Sequence, residues 1–481
     1  MNISTAILQN GQTIQYLETT NPPEGIMKTV YFTPDKCFAI AFFKDSKASD
    51  DPNRLRRLEA VLGKYNPTRQ ENGEYWEKLF CWPTAIVIKP RLGVVVPHYS
   101  KLPGNYFFES GPNQGREKKG GWFTSEKHRN KMLAKAPGEL GNWKNYLAIC
   151  ILIARAVRRL NVAGLAHSDL SGNNILIDPT SERCVVIDID SLVVQGLFPP
   201  DVIGTPGYIA PEVLRTQDLP LKDSNRKHPN VRTDLHALPV LLYQYLLFRH
   251  PLNGPKSYPG VDGSEQELLE MGSKALFIEH PQDHSNRPYN LIGIVDDLGP
   301  KIKELFEKAF VSGLKNPLHR PSAGQWEKAL MKASDCLHPC KNPKCWHKWF
   351  IIHGPSVKQC PNCQSKLSAP VPVLKLLKKT KNDWVEDGQL VVFDGKELFG
   401  YHAFDNCLNG ENTDSTIPLG HFKLEKGKWY LVNDNLTSLI SPNGTPVAPR
   451  KNQGIELQFG IKFTLAKEPN GRMAEVEYYG I

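Results

Sequence analysis

The sequence predicts an α+β protein, because strand-type and helix-type patterns occupy separate parts of the chain. Apolar and polar residues alternate in strand fashion through the first hundred residues, and apolar residues recur at helical spacing from 143 to 336. Roughly the last hundred residues return to short strand-like runs, separated by turn sequences such as EKGK and PNGT. Five of the ten cysteines lie within 336–363, between these parts.

These changes of pattern set the predicted domain boundaries. We expect a β-rich lobe, a helical lobe, a cysteine-rich module and a small all-β domain, at 1–99, 100–335, 336–370 and 371–481. The first lobe should contain a hairpin that turns at Pro34-Asp35 and a helix at about 54–64. The longest predicted helix begins at 143 and ends at Gly164.

Length and composition indicate a soluble protein of several domains. The chain has 481 residues, of which 40% are hydrophobic and 23% are charged, which favours two to four domains. The first residues lack the pattern of a secretory signal, and the longest apolar runs, at 147–154 and 238–248, are too short to cross a bilayer. We therefore expect a cytoplasmic protein without a membrane partner.

The net charge of +9 has a local origin. The stretch 116–135 contains seven Lys and Arg residues against two Glu, which is over half of the excess. A single basic insertion is more often a solvated loop or a partner-docking surface than a site for nucleic acid. We therefore do not expect nucleic acid as a partner.

The stretch HSDLSGNNILID at 167–178 carries the chemistry that the sequence predicts. A hydroxyl group that attacks the γ-phosphorus of ATP needs a positioned acceptor for its proton, and Asp169 can be that acceptor. Carboxylate and amide oxygens must also hold Mg²⁺ on the phosphates. Asn174 and Asp188 can do so if a strand hairpin brings them together.

This arrangement resembles the catalytic loop of protein kinases, and further landmarks follow in kinase order. The sequence GTPGYIAPEV at 204–213 resembles the end of an activation segment that is anchored by Glu212. The resemblance implies that Asp234 steadies the catalytic loop and that Arg320 pairs with Glu212. It also implies a bilobal protein-kinase-like fold for the first two units.

The ATP-binding lobe departs from the kinase pattern. Only Gly25 lies near the place of the usual glycine-rich loop, so close approach of the backbone to the phosphates is less assured. By resemblance, the phosphate-binding lysine is Lys44 and its ion-pair partner is Glu59. Lys28 is the alternative lysine, since some kinases supply it from the preceding strand. The stretch 94–100 fits the hinge that binds adenine.

Three kinds of function remain open at this point. The stretch DLS at 169–171 also resembles atypical kinases and aminoglycoside-type phosphotransferases, so a small-molecule phosphotransferase is an alternative. A pseudokinase scaffold is another. An activation segment forms a platform for an extended peptide, and GTPGY is similar to the platform of Ser/Thr kinases. We therefore expect a protein serine/threonine kinase that uses ATP and Mg²⁺, with Thr205 in contact with Asp169.

A narrower resemblance covers nearly the whole chain. The stretches LAHSDLSGNNILID, VIDIDSLVVQGLFPPDVIGTP and GSKALFIEHP are similar to the bacterial kinase of the tellurite-resistance-associated phosphorylation triad. That system also contains a metal-dependent protein phosphatase and a von Willebrand A domain protein. The resemblance implies these two partners and a role in signalling or stress response, and it does not reveal the phosphorylated target.

The cysteine-rich module predicts a zinc site. Cys340 and Cys345 form one pair, and Cys360 and Cys363 form a second pair within CPNC. Two such pairs suit tetrahedral Zn²⁺ in a ribbon, and four protein ligands leave no open position for catalysis. The first pair is spaced slightly widely, so nearby residues are possible substitutes: Cys336, His338 and His347.

The C-terminal part is loosely similar to a forkhead-associated sandwich. The stretch GKWYLVNDNLTSLISPNGTPVAP ends in the turn Asn443-Gly444-Thr445. That fold binds phosphothreonine through an arginine and a serine, and TIPLGHF lacks both. We therefore expect a turn without a ligand.

Overall fold

The computed structural model describes most of the chain, in ten stretches. They are 2–25, 27–44, 52–133, 135–194, 197, 203–220, 222–381, 383–407, 417–449 and 454–480. The chain forms two compact units. The first comprises Met1–Gly141, Asn145–Tyr289 and Leu305–Glu327, and the second comprises Asn142–Lys144, Asn290–Glu304 and Lys328–Ile481. The predicted boundaries at 99, 335 and 370 remain predictions.

An antiparallel sheet of six strands forms the N-terminal part of the first unit, within the described residues. Its strands are β1 Asn2–Leu8, β2 Thr13–Glu18, β3 Lys28–Phe32, β4 Phe38–Phe43, β5 Ala85–Lys89 and β6 Gly93–Pro97. Their order across the sheet is β2-β1-β5-β6-β4-β3. Strands β3 and β4 form the predicted hairpin around Pro34-Asp35. The aromatic and β-branched residues of β4 are almost wholly buried, which explains why this run forms an inner strand.

The predicted helix at 54–64 is present at Pro52–Leu62, and a short helix follows at Gly73–Glu77. The first helix ends two residues earlier than expected. Gly63 donates its backbone N–H to the carbonyl oxygen of Glu59, which closes the last turn.

From 126 to 335 the chain is mainly helical, as the sequence predicts. The helices of this part are Glu126–Leu133, Trp143–Val162, Pro211–Leu214, Val231–Leu247, Gly263–Leu268, Pro300–Glu307, Gly313–Lys315 and Ala323–Asp335. Two short antiparallel strand pairs accompany them: β7 Leu165–Ala166 pairs with β10 Val193–Val194, and β8 Ile175–Asp178 forms a hairpin with β9 Arg183–Val186. The residues of the predicted site lie close to the ends of these strands.

The second unit is rich in antiparallel strands. Its strands are β11 Leu337–Pro339, β12 Trp349–Ile351, β13 Val371–Lys379, β14 Trp384–Val391, β15 Glu397–Leu398, β16 Gly420–Glu425, β17 Lys428–Asn433, β18 Gly454–Glu456, β19 Lys462–Thr464 and β20 Met473–Tyr479. A short helix lies at Gly400–Ala403. Two sheets, β14-β13-β20-β19 and β15-β16-β17-β18, share one apolar core that includes Leu374, Phe422 and Leu431. The EKGK turn joins β16 to β17 as expected.

The described helices include none whose length and hydropathy would let it span a bilayer.

Candidate functional site

The catalytic-loop aspartate and asparagine lie in direct contact. The side-chain amide of Asn174 donates to the backbone oxygen of Asp169 at 2.8 Å and to its carboxylate Oδ2 at 2.9 Å. The Ser171 hydroxyl accepts from the backbone N–H of Asn173 and so caps the tight turn between them. Because the amide nitrogen of Asn174 is used in this way, its amide oxygen is the atom that a cation could bind.

Asp188 lies beside Asn174, as the sequence predicts. The residue before it, Ile187, donates its N–H to the carbonyl oxygen of Asn174 at 3.0 Å. The ring of His167 bonds to the carbonyl oxygen of Ile187 at 2.9 Å, with Nε2–H as donor. Asp188 itself has a φ of 58°, in the left-handed region that few residues with a side chain adopt. These backbone bonds hold the metal-binding candidate in an uncommon conformation next to the catalytic loop.

Lys28 reaches this pair of loops from the N-terminal sheet. It is the first residue of β3, and its ammonium lies 3.0 Å from Asp188 Oδ1 and 2.9 Å from Asp190 Oδ1. Burial disfavours its charge, but the carboxylates of Asp190 and Asp188 outweigh this effect and raise the pKa of Lys28. Burial would raise the pKa of Asp188, and the Lys28 ammonium lowers it below its usual value. Lys28 is therefore the lysine that the fold brings to the site.

The predicted ion pair between Lys44 and Glu59 is wrong. Lys44 lies 2.7 Å from Glu24, and Glu59 accepts a hydrogen bond from the side chain of Gln9 at 2.5 Å. The register of the hairpin explains the difference, since Lys28 is opposite Phe43 and directly opposed residues share a face of a sheet. Lys44 comes one residue later, and a shift of one residue reverses the face.

Gly25 lies in the turn that leads into β3. Its N–H donates to the carbonyl oxygen of Lys28 at 2.9 Å. A side chain at this position would have room, because an added Cβ would come no closer than 3.9 Å to that oxygen. The structure thus places Gly25 near Lys28, and its contact with a nucleotide remains a prediction.

Asp234 holds the catalytic loop, as the kinase resemblance implies. Its carboxylate accepts the backbone N–H of His167 at 2.6 Å and that of Ser168 at 3.1 Å. Ser168 has a φ of 68°, so this loop also contains a strained residue that needs support. Burial is the largest influence on the carboxyl group and raises the pKa of Asp234 to about 6, although the two N–H groups oppose the shift.

The segment from Thr205 to Glu212 is held at both of its ends. The Thr205 hydroxyl donates to Asp169 Oδ1 at 2.6 Å, which is the predicted contact. Arg320 binds both oxygens of Glu212, at 2.8 and 2.7 Å, and also donates to the carbonyl oxygen of Arg232. This bidentate pair, in which the guanidinium is buried, has the geometry of the strongest protein ion pairs.

The basic stretch 116–135 is only partly a solvated surface. Lys118 is buried and lies 2.9 Å from the Glu139 carboxylate. Arg129 is buried with its guanidinium 3.8 Å above the ring of Phe248. These two cations stabilise the fold, so fewer of the seven remain for a docking surface than the sequence suggests.

Four cysteines of the second unit form a cluster that could hold a metal ion. The sulfur atoms of Cys340, Cys345, Cys360 and Cys363 all lie within 4.8 Å of one another. The separations between Cys340 and Cys363 and between Cys345 and Cys360 are 3.6 and 4.0 Å. Tetrahedral zinc with Zn–S bonds of about 2.3 Å requires sulfur separations of about 3.8 Å. The donor set therefore fits zinc, and it is the set chosen from the sequence.

Asp190 is the site residue that the sequence analysis missed. It belongs to DID at 188–190, where its two-residue spacing from Asp188 could have drawn attention. Its contact with Lys28 depends on the fold, because 162 positions separate the two residues.

The geometry of the loops and of the Glu212 anchor agrees with comparisons to known proteins. Residues 128–329 match the protein kinase domain. The chain is 32% identical over 131 residues to the serine/threonine-protein kinase PknD of Chlamydia felis, and 31% identical over 144 residues to PknD of Chlamydia caviae. It is 30% identical over 121 residues to the atypical protein kinase C of Drosophila melanogaster.

These matches span only a small part of the present chain and of each relative. They cover 23%, 26% and 24% of the present chain, and 13%, 14% and 18% of the three relatives. The shared part thus supports a serine/threonine kinase domain.

The Glu212–Arg320 pair should contribute strongly to stability. A Glu212→Gln substitution leaves the buried guanidinium without its counter-ion, so we expect the free energy of unfolding to fall by about 3 kcal/mol. Urea denaturation followed by circular dichroism measures this change. The exposed pair Lys44–Glu24 offers a matched control, because Glu24→Gln should change stability by less than about 0.5 kcal/mol. Equal stability of both variants would contradict the anchoring role of Glu212.

Proposed function

We propose that the protein transfers the γ-phosphate of ATP to serine or threonine side chains of a protein substrate, with Mg²⁺ as cofactor. The observation that carries this proposal is the convergence of Asp169, Asn174, Asp188 and Lys28. The match of residues 128–329 to the protein kinase domain supports it independently.

Each residue has a distinct task in the proposed reaction. Asp169 orients the attacking hydroxyl and accepts its proton, since its carboxylate already bonds to the hydroxyl of Thr205. Asn174 and Asp188 would hold Mg²⁺, whose charge offsets that of the phosphates. Lys28 binds phosphate oxygens through its ammonium. The stretch 94–100 receives adenine beside the apolar side chain of Leu176, which packs near Val96.

A protein substrate is favoured over a small molecule. The short helix Pro211–Leu214 is anchored by Arg320, and Thr205 connects the same segment to Asp169. Such a fixed platform suits an extended peptide whose hydroxyl must reach Asp169. A pseudokinase scaffold would not need the bonds that join Asn174 to Asp169 and to the residue before Asp188.

The proposed cellular role and partners rest on the sequence resemblance. We propose a cytoplasmic bacterial kinase that acts in signalling or stress response, with a metal-dependent phosphatase and a von Willebrand A domain protein as partners. The motifs shared with the tellurite-resistance-associated triad support this setting.

We also propose that Cys340, Cys345, Cys360 and Cys363 bind one structural Zn²⁺ ion. The sulfur separations support this, and the module has too few buried apolar residues to fold strongly without a cross-link. The ion would join the two cysteine pairs of the module.

The transfer reaction can be tested with purified protein, labelled ATP, Mg²⁺ and the proteins encoded by neighbouring genes. Asp188→Asn should lower transfer by at least about 100-fold, because metal binding loses a charged ligand. Asp169→Ala should lower transfer by about 100-fold or more and leave nucleotide binding largely intact. Wild-type transfer rates in both variants would refute the proposed function.

The two lysines can be separated by matched substitutions. Lys28→Met should lower transfer by about 100-fold, because it removes the cation that meets the phosphates. Lys44→Met should transfer at nearly the wild-type rate, since Lys44 is paired with Glu24. The opposite pattern, with Lys44→Met silent and Lys28→Met active, would restore the sequence-based assignment.

The zinc proposal predicts one metal ion per chain. Metal analysis of reduced, unstripped protein should detect zinc, and Cys363→Ser should lower the zinc content. Because metal binding and folding are coupled in small modules, chelation should increase proteolysis within 336–370 and spare the kinase domain. Cys407→Ser is a suitable control, since Cys407 lies outside the cluster. Protein without zinc would contradict the proposal.

A further inference from the structure

We propose that Asp190 is the positioning residue for Lys28, a task that protein kinases usually give to a glutamate on the helix after the lysine strand. The inference rests on the proposed function, because it concerns the lysine that meets the phosphates. The loop that carries Asp188 and Asp190 would itself control where the Lys28 ammonium points.

The hydrogen bonds of Lys28 carry the argument. A lysine ammonium has three N–H donors and no acceptor. The Lys28 nitrogen lies 2.9 Å from Asp190 Oδ1, 3.1 Å from Asp190 Oδ2 and 3.0 Å from Asp188 Oδ1. Three oxygens thus match the three donors, and two of them belong to Asp190.

The two carboxylates differ in their access to solvent. The side chain of Asp188 is 46% exposed, whereas that of Asp190 is only 4% exposed. Asp188 can therefore turn to a metal ion in the open cleft, and Asp190 cannot. A Mg²⁺ ion held by Asp188 would leave one N–H of Lys28 for a phosphate oxygen. Asp190 keeps the other two and fixes the direction of the ammonium.

The backbone around Asp190 is well suited to this task. Residues Ile189–Ser191 form a tight turn, and Leu192 donates its N–H to the carbonyl oxygen of Ile189. Ile189 and Leu192 are buried, and the Ser191 hydroxyl donates to the carbonyl oxygen of Asp188. One short, anchored turn therefore sets the distance between the two carboxylates.

Glu59, the glutamate of helix Pro52–Leu62, takes no part in this arrangement. Glu59 bonds to Gln9, and neither Asp188 nor Asp190 belongs to that helix. The helix itself packs against the turn Ile189–Ser191, so its support for Asp190 comes through this packing and not through Glu59. We infer that the lysine becomes competent together with the metal-binding loop and not through movement of the Glu59 side chain.

The decisive experiment is the Mg²⁺ dependence of phosphate transfer. In Asp190→Asn, the only carboxylate left to Lys28 among these contacts is Asp188, so the ammonium competes with Mg²⁺ for it. We expect the half-saturating Mg²⁺ concentration to rise about tenfold and kcat at saturating Mg²⁺ to fall by about 30-fold. Glu59→Gln, the matched control, should retain the wild-type Mg²⁺ dependence and rate.

A double variant distinguishes positioning from a general structural effect. In Lys28→Met/Asp190→Asn the competing ammonium is absent, so the Mg²⁺ requirement should return towards the wild-type value. The transfer rate should equal that of Lys28→Met alone, because the two residues act as one unit. Loss of fold would not produce this recovery, and Asp190→Glu, which keeps the charge, should restore part of the wild-type Mg²⁺ response.

The outcomes separate this inference from the proposed function. Binding of Mg²⁺–ADP, followed by the shift in thermal unfolding, provides a readout that needs no protein substrate. A wild-type Mg²⁺ response in Asp190→Asn, or an impaired Glu59→Gln, would overturn the role of Asp190 while transfer by the wild type continued. If Asp190→Asn does not fold, Asp190→Ser, which also removes the charge, takes its place, and a wild-type Mg²⁺ response in Asp190→Ser would overturn the role equally. Absence of transfer by the wild type would instead refute the proposed function.

Discussion

The position of Asp169, the proposed catalytic residue, depends on one buried carboxylate. Asp234 accepts the backbone N–H groups of two consecutive residues, His167 and Ser168, and so holds Ser168 in a left-handed conformation. An uncommon backbone conformation persists only where its surroundings enforce it. The Asn230 side chain accepts the backbone N–H of Arg232, and the Asn230 N–H donates to the Thr233 hydroxyl. These capping bonds fix the first turn of helix Val231–Leu247 and thereby the carboxylate. The first turn of a buried helix thus holds the loop that carries Asp169.

A chain of backbone bonds extends this support to the metal-binding loop. The ring of His167 bonds to the carbonyl oxygen of Ile187, and the N–H of Ile187 bonds to Asn174. These bonds tie the two loops together and fix the spacing of Asp169 and Asp188. Such preorganisation lowers the reorganisation that charged groups need when a reaction begins. Lys28 is bonded to the same pair of loops through Asp188 and Asp190, whose side chains differ widely in exposure.

The accuracy of the sequence-based prediction differed between local and long-range features. The closeness of Asp169, Asn174 and Asp188 was predicted correctly because it depends on short spacings within a loop and a hairpin. The cysteine cluster was found for the same reason, since paired ligands reveal a metal site from spacing alone. The pairing of Lys44 with Glu59 was wrong because it required the register of a hairpin that the sequence does not fix to one residue. The sequence also offered no way to see that Asp190 faces Lys28.

The sequence by itself determined the order of strands and helices, the tight loop from Asp169 to Asn174 and the cysteine cluster, because each depends on local patterns of residue type. Only the tertiary structure decided which lysine reaches the site and which carboxylate holds it. Lys28 and Asp190 are 162 positions apart, and their contact arises from the packing of a sheet over the metal-binding loop. Adjacent residues of a strand point to opposite faces, so a choice between two nearby lysines depends on register and packing.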